Sequence, residues 1–475
     1  MKYEVIIGLE IHVETKSKTK MFSGAPTSFN APPNSQVHVI DMAFPGTLPA
    51  VNKKAVQNAI MLSHALNMTI DRELHFDRKN YYYSDLPKGY QITQERRPIG
   101  KDGLIDIVVG DQTKSIRIER LHMEEDTAKQ IHLADVTLID YNRAGAPLVE
   151  IVTKPDIRSG EEAMAFVETI REIVTFTGVG DGKMEEGSLR CDVNISLRPI
   201  GSEKFGTKVE IKNLNSISNI GKVIDIEIKR QTAELDAGHA IVSDTRRYDE
   251  TLKDTVTMRL KDNAIDYKYF REGNIAPITL SEAFIADVIA KTPELPATKR
   301  KRYLEVFNLS HHDINILLQD IDQTNYFDVA ATLTTNYRTL INWLNGEVSA
   351  YLNKEGIKIT ALALRPENLA KLVNLVSDGK LSNAQARELF SHIAMTNEDP
   401  ETKAKALNLV QVSDTDFILK VINEVIDENL SVIDDIKAGK DRAMGFLVGQ
   451  VMKKTGGKVN PGVANTLMRQ EIAKR

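Results

Sequence analysis

The sequence predicts an α+β protein: an antiparallel sheet with interspersed helices, then an all-helical region ending in a small helical tail. Three observations carry that expectation. Leu189 to Leu197 alternates without a break, with Leu, Cys, Val, Ile and Leu on one face and Arg, Asp, Asn and Ser on the other. That is the period of a half-buried strand. Past Thr292-Pro293-Glu294-Leu295-Pro296 the β signals stop and helix signals take over. At 475 residues, finally, the chain exceeds one ordinary hydrophobic core, so two or three domains are expected. The divisions are placed at 1–292, 293–407 and 408–475.

The elements follow in order. Met1-Lys2-Tyr3-Glu4-Val5 reads directly as a strand, without a signal-peptide apolar region. Lys53 to Leu66 and Gly160 to Phe176 have helical periodicity. Between them, Phe76 to Gln94 is dense in aromatic and hydrogen-bonding groups, and Leu86-Pro87-Lys88-Gly89 favours a turn. Gly201 and Gly206 bracket a second turn, after which Thr207 to Asn213 resumes as a strand with Lys208, Glu210 and Lys212 on its polar face. In the helical region, Ser310-His311-His312-Asp313 and Ser382-Asn383-Ala384-Gln385 resemble capping boxes. Pro366 and Pro461 sit where first-turn prolines belong. Thr396 to Pro400 reads as the link to the tail.

Composition excludes several classes. Hydrophobic content of 42% and charged content of 27% describe a globular chain. No apolar run approaches a membrane span; Met444 to Met452 is the nearest. A single cysteine, Cys191, rules out an internal disulfide framework and a thiolate zinc cluster. It lies on the apolar face of its strand, where a free cysteine is an inert small hydrophobe and not a nucleophile. The net charge of −5 hides an asymmetry: Lys440 to Arg475 carries +6 and the remainder −11. Such a tail fits contact with a polyanion, and equally a solvated helix face. Lys299-Arg300-Lys301-Arg302 could touch the same polyanion, but four consecutive charges wrap around a helix and read as solvated surface.

The chemistry concentrates in acid and imidazole embedded in apolar, strand-like sequence. Gly8-Leu9-Glu10-Ile11-His12 opens the chain, Arg120-Leu121-His122-Met123-Glu124-Glu125-Asp126 follows, and Asn142 to Glu150 comes soon after. Such groups are costly to bury unless something offsets their charge. A divalent cation carrying nucleotide phosphates does so, because Mg²⁺ takes a few carboxylates and keeps its other positions for water and phosphate. Glu10 and His12, two apart, share one strand face; Glu124 and Glu125 point oppositely unless the strand bulges between them. The competing reading pairs some of these carboxylates with Arg120, Arg143 or Arg190. No Walker loop is present, and Gly178-Val179-Gly180-Asp181-Gly182 lacks dinucleotide-fingerprint spacing.

These segments, with Phe44 to Pro49, Phe76 to Gln94, Met184 to Asn194, Lys212 to Ser216 and Gly445 to Met452, closely resemble the B subunit of the bacterial tRNA-dependent amidotransferase, in order from end to end. Ser84 stands where proline is common in that family, and Met42-Ala43-Phe44 where leucines are. The resemblance implies a cradle domain, a helical domain and a tRNA-binding tail. It implies a ligase that uses ATP and Mg²⁺, with Mn²⁺ as the alternative. The substrates would be misacylated Glu-tRNA(Gln), Asp-tRNA(Asn) or both. The partners would be an amidase A subunit and a small C subunit in a cytoplasmic heterotrimer. Glu10, His12, Glu124, Glu125 and Glu150 would form the metal-binding catalytic cluster, with His122 and Asp126 behind it. Asp192, Asn194 and Lys88 would extend toward the nucleotide, and Lys79 would line an ammonia path; for both lysines, solvated surface is the alternative. A non-catalytic tRNA-docking subunit and the glutamine-specific archaeal relative, which needs an inserted domain, are the other readings.

Overall fold

The computed structural model describes residues 2–260, 266–409, 415–437, 441–455 and 459–474, and separates into two compact units, 1–297 and 298–475. In the first unit, strand β1 is Tyr3–Glu14 and helix α1 is Lys53–Ala65. Four short strands follow: β2 (Thr69–Ile70), β3 (Glu73–Leu74), β4 (Asp77–Asn80) and β5 (Tyr90–Thr93). Then come β6 (Gly100–Val109), β7 (Gln112–Glu125), the hairpin β8 (Lys129–His132) and β9 (Thr137–Asp140), and β10 (Pro147–Thr153). Helix α2 (Gly160–Phe176) precedes β11 (Leu189–Pro199) and β12 (Val209–Leu214), and α3 (Ile217–Asp236) precedes β13 (Asp244–Asp249) and β14 (Asp254–Leu260).

Nine of these strands form one sheet, in the order β14-β13-β12-β11-β1-β10-β7-β6-β2. Every pair is antiparallel except β12 and β13, which run parallel. The exception departs from the all-antiparallel expectation and has a simple cause. Helix α3 lies between these strands in sequence, and a helical crossover returns the chain in the same direction, as a tight hairpin cannot.

The two faces differ sharply. Val5, Ile7, Leu9, Ile11 and Val13 of β1 enter the core with Leu189, Cys191, Val193, Ile195 and Leu197 of β11 and residues of α1, α2 and α3. The alternate positions, among them Glu10 and His12, fall on the other face. Strand β7 has a register shift: Thr153 pairs with Ile118 but Val152 with Arg120, so Glu119 is an extra residue. Cys191 is fully buried, and burial raises its thiol well above the ordinary range, as an inert core residue requires.

Close packing fixes two glycines. A Cβ on Gly160 would lie 2.9 Å from the Gly221 carbonyl oxygen, where α2 crosses α3. A Cβ on Gly206 would lie 2.0 Å from the Leu197 carbonyl oxygen, where the chain returns from β11 to β12. Gly206→Ala is therefore expected to cost about 3 kcal/mol, because the obstruction is backbone and cannot rotate away. Chemical denaturation of the two proteins would measure it; equal midpoints would contradict this packing.

The second unit is helical. Its helices are α5 (Pro296–Glu305, following α4, Glu282–Ala290, in the first unit), α6 (His311–Leu317), α7 (Ile321–Ala331), α8 (Tyr337–Trp343) and α9 (Ser349–Glu355), with a π-helical turn at Leu344–Val348. Next come α10 (Pro366–Ser377), α11 (Asn383–Ile393) and α12 (Pro400–Ala406). Ser382 and Gln385 close a full capping box; at Ser310 the hydroxyl accepts from Asp313 N–H at 3.1 Å and donates to its carboxylate at 2.6 Å instead. Thr396 to Pro400 does not behave as a free link. Asn397 accepts from Arg365 N–H and Asn368, and Asp399 pairs with Lys371 at 2.7 Å, so the segment is tied to α10. Lys299 is buried and donates to Asp328, which also takes Arg302 at 3.0 Å and Tyr303 at 2.8 Å. Lys299, alone of the four, is thus internal, against the expectation of a solvated surface.

Helices α13 (Thr415–Glu428), α14 (Leu430–Lys437), α15 (Asp441–Lys454) and α16 (Pro461–Ala473) surround their own core of Ile418, Ile422, Val425, Leu447, Val451 and Met468, among others. Lys440, Lys458 and Arg475 of the basic segment lie outside the described residues. Lys454 pairs with Glu428 at 2.5 Å and Lys474 with Glu471 at 2.6 Å, so part of the tail's charge is spent locally. Among the described residues no helix is long and apolar enough to cross a membrane.

Candidate active site

The polar face of the sheet assembles the site by register. His12 on β1 pairs with Glu150 on β10, and Glu150 pairs with His122 on β7. Three adjacent strands thus set imidazole, carboxylate and imidazole in one row. Glu124, two residues beyond His122, shares its face. Glu150 Oε2 lies 3.3 Å from Nε2 of both histidines, and the Glu124 oxygens lie 3.6 Å from His12 and 3.7 Å from His122.

Electrostatics hold this group in one protonation pattern. Burial opposes charge on both imidazoles, but Glu150 and Glu124 more than offset it, raising His12 and lifting His122 to about 9. Burial likewise opposes ionisation of Glu150, but the two histidines hold it well below the usual carboxylate range. Both imidazoles are thus shifted toward their protonated form beside the Glu150 and Glu124 side chains. A cation bound here would replace protons, so its affinity must rise with pH.

One row away lies a second group. Glu10 pairs with Asp192 on β11, and Asn194 pairs with Glu210 on β12. Carboxylate oxygens of Glu10, Asp192 and Glu210 lie within 4.8 Å of one another, as do ligand atoms of His12, Glu124 and Glu150. Asn194 Nδ2 donates to Glu10 Oε1 at 2.8 Å, while its buried Oδ1 has no hydrogen-bond partner. The donor sets differ in kind. Three carboxylates suit Mg²⁺; a histidine with two carboxylates better suits a metal that accepts nitrogen, such as Mn²⁺.

Comparison with known proteins places this sheet. Residues 5–286 match the family model described as the GatB/GatE catalytic domain, and residues 325–472 match the GatB domain. The aspartyl/glutamyl-tRNA(Asn/Gln) amidotransferase B subunit of Bacillus thuringiensis (strain Al Hakam) is 47% identical over 475 residues, 100% of both chains. The same holds for its counterparts in Bacillus mycoides (strain KBAB4) and Bacillus anthracis. The chain belongs to the amidotransferase B-subunit family.

Within this B-subunit fold, the expected site residues do not all converge. Glu125 lies in neither group among the described residues. The ladder runs Glu124 to Leu148 and Glu125 to Pro147 without a bulge, so alternation turns Glu125 away from Glu124. Its carboxylate takes the Lys88 ammonium and the Ile92 N–H, the latter at 2.9 Å. Asp126 is clamped by Arg143 at 2.5 Å and Arg190 at 2.9 Å, the arginine pairing that the sequence left open. His122, expected behind the cluster, touches both of its carboxylates. Lys79 lies over the rings of Tyr267 (5.0 Å) and Tyr81 (5.8 Å). Glu210 was missed as a site residue. The polar-face alternation of Lys208, Glu210 and Lys212 was visible, but only the pairing of β12 with β11 brings Glu210 beside Asp192.

Proposed function

We propose that this chain is the kinase and transamidase subunit of a glutamine-dependent, tRNA-dependent amidotransferase. It would use ATP and Mg²⁺, or Mn²⁺, to convert Glu-tRNA(Gln), Asp-tRNA(Asn) or both to the amide. The supporting observation is the pair of partly buried ligand groups side by side on one sheet face, one all-oxygen and one mixed. In the first half-reaction a side-chain carboxylate oxygen of the tRNA-bound amino acid attacks the γ-phosphorus of ATP. The bond to the β-phosphate oxygen breaks and ADP leaves. In the second, ammonia attacks the activated carbonyl carbon, inorganic phosphate departs and the nitrogen gives up a proton. The acyl phosphate divides one hard displacement into two easier ones.

The residue roles follow from chemistry. Glu10, Asp192 and Glu210 would hold the nucleotide's cation, with Asn194 orienting Glu10. His12, Glu124, Glu150 and His122 would hold a second cation near the reacting carboxylate. Bound divalent cations neutralise charge building up on the transferred phosphoryl group. Lys88 and Glu125, on the other side of β7, and Lys79 would line the way in for ammonia. Ammonia would come from an amidase A subunit, with a small C subunit completing a cytoplasmic heterotrimer. We assign catalysis to 1–292, support to the helical domain (293–407) and tRNA contact to the tail (408–475).

Two measurements test the division of labour. The isolated chain should release no ammonia from glutamine, because its one cysteine is sealed in the core; robust release by the pure chain would refute the assignment. Removing residues 415–475 from the complex should raise KM for aminoacyl-tRNA and flatten its salt dependence, since phosphate contacts weaken as salt rises. Turnover at saturating tRNA should survive, the tail having its own core. Unchanged tRNA affinity across a salt titration would reduce the tail to an assembly element.

A further inference from the structure

Two lysine–carboxylate contacts in the first unit look alike on paper and differ in kind. Lys20 is fully buried, its ammonium donating to Asp41 at 2.9 Å and to the Tyr141 carbonyl at 3.2 Å. Lys212 lies at a rim. Its ammonium is 3.2 Å from Asp192 Oδ2 and 3.0 Å from Glu210 Oε1, yet 41% of its side chain remains exposed. The register shift between β11 and β12 carries it there: Asn194 pairs with Glu210, and the ladder slips before Cys191 pairs with Leu214. The ammonium therefore joins two of the three carboxylates that form the all-oxygen ligand group.

Three carboxylates so close repel one another strongly unless a cation sits among them. In this structure the cation is the chain's own. A lysine ammonium is a compact charge on a flexible four-carbon stem, so it can leave without disturbing the backbone. Nothing seals Lys212 as Lys20 is sealed.

We propose that Lys212 is the resident counter-ion of the Glu10, Asp192 and Glu210 group, giving up its place to an incoming divalent cation and then holding a phosphate of the nucleotide which that cation accompanies. The proposal rests on the nucleotide-site reading above and adds to it a positioning residue. Lys212 offsets part of the group's negative charge before a metal binds, and the same charge becomes available to an anion only when the metal has arrived. Metal and nucleotide are thereby coupled: each makes room for, or use of, the charge that the other displaces.

The test separates the two roles. In chelator-treated full-length chain, Mn²⁺ titration followed by electron paramagnetic resonance should show Lys212→Met binding about tenfold more tightly than the natural chain, since a competing charge is gone. Asp192→Asn added to Lys212→Met should abolish that gain, and Lys212→Arg should not show it. In the assembled complex Lys212→Met should raise KM for ATP at saturating Mn²⁺ while the partner's glutaminase is unchanged. Because Lys212→Met takes the ammonium away from Asp192 and Glu210, its melting temperature should be lowered without Mn²⁺ and recover with it, as a merely structural lysine would not allow. Mn²⁺ affinity equal to or weaker than natural overturns the exchange; an unaltered KM for ATP overturns the phosphate contact. If Asp192→Asn alone leaves both Mn²⁺ stoichiometry and ATP turnover at natural values, the nucleotide-site reading falls, and this proposal with it.

Discussion

Glu150→Gln is expected to reduce ATP-dependent transamidation by about 100-fold or more, while the amidase partner continues to hydrolyse glutamine. The size follows from position. One Glu150 oxygen serves both His12 and His122 at 3.3 Å, so the change removes the hub of the row and not a peripheral contact. An amide is nearly isosteric, which keeps the loss electrostatic. It lacks the charge that raises the pKa of both imidazoles, and it is a poor metal ligand. Assaying amide formation and glutaminase on the same purified complex decides the matter. Equal loss of both activities in an intact complex would argue against a kinase role for this chain.

The second large effect is on stability. Lys20→Met or Asp41→Ala alone is expected to cost about 3–5 kcal/mol, because each leaves an uncompensated charge in the interior. The pair does more than neutralise itself. Asp41 also accepts from His38 N–H at 3.0 Å, and Lys20 from its other side reaches Tyr141. Met21 N–H donates to Gly145 at 2.8 Å, and a Cβ on Gly145, whose φ is +82°, would lie 2.9 Å from Asp41 Oδ1. Three segments are thereby pinned just ahead of β10, the strand that carries Glu150. The double variant Lys20→Met with Asp41→Leu should cost much less than the sum of the singles, since it buries no charge. Denaturant midpoints of the four proteins give the coupling directly, and additive losses would show that the pair is not a unit.

Much of this is legible in the residues themselves. The unbroken alternation of Leu189 to Leu197 gave a strand with one face in the core, and the change near residue 290 gave the switch to helices. Glu10, His12, Glu124 and Glu150 stood out because acid in apolar strands demands a partner. What sequence could not supply was pairing between distant strands. Glu210 became part of the site only through the register of β12 on β11. Glu125 left the cluster because its neighbour took the facing position, and the arginines around Asp126 were candidates without an assigned acid. The parallel pair β12 and β13 was hidden for the same reason, since direction within a sheet depends on where α3 returns the chain.

The one-residue irregularity at Glu119 has a further consequence. Before it, the apolar residues of β7 fall on even numbers, Ile116 and Ile118; after it they fall on odd ones, Leu121 and Met123. The irregularity acts as a phase shifter. It allows a single strand to begin and end in the same oily interior while exchanging the parity of everything it displays on the opposite side. His122 and Glu124 are on view only because of that exchange. A chain with Glu119 excised would be forced to choose between two errors: bury an imidazole and a carboxylate among aliphatic side chains, or turn Ile116 and Ile118 out to water. The length of this strand, as much as its composition, is thus part of the chemistry, and substitutions at Glu119 should be tolerated where its deletion is not.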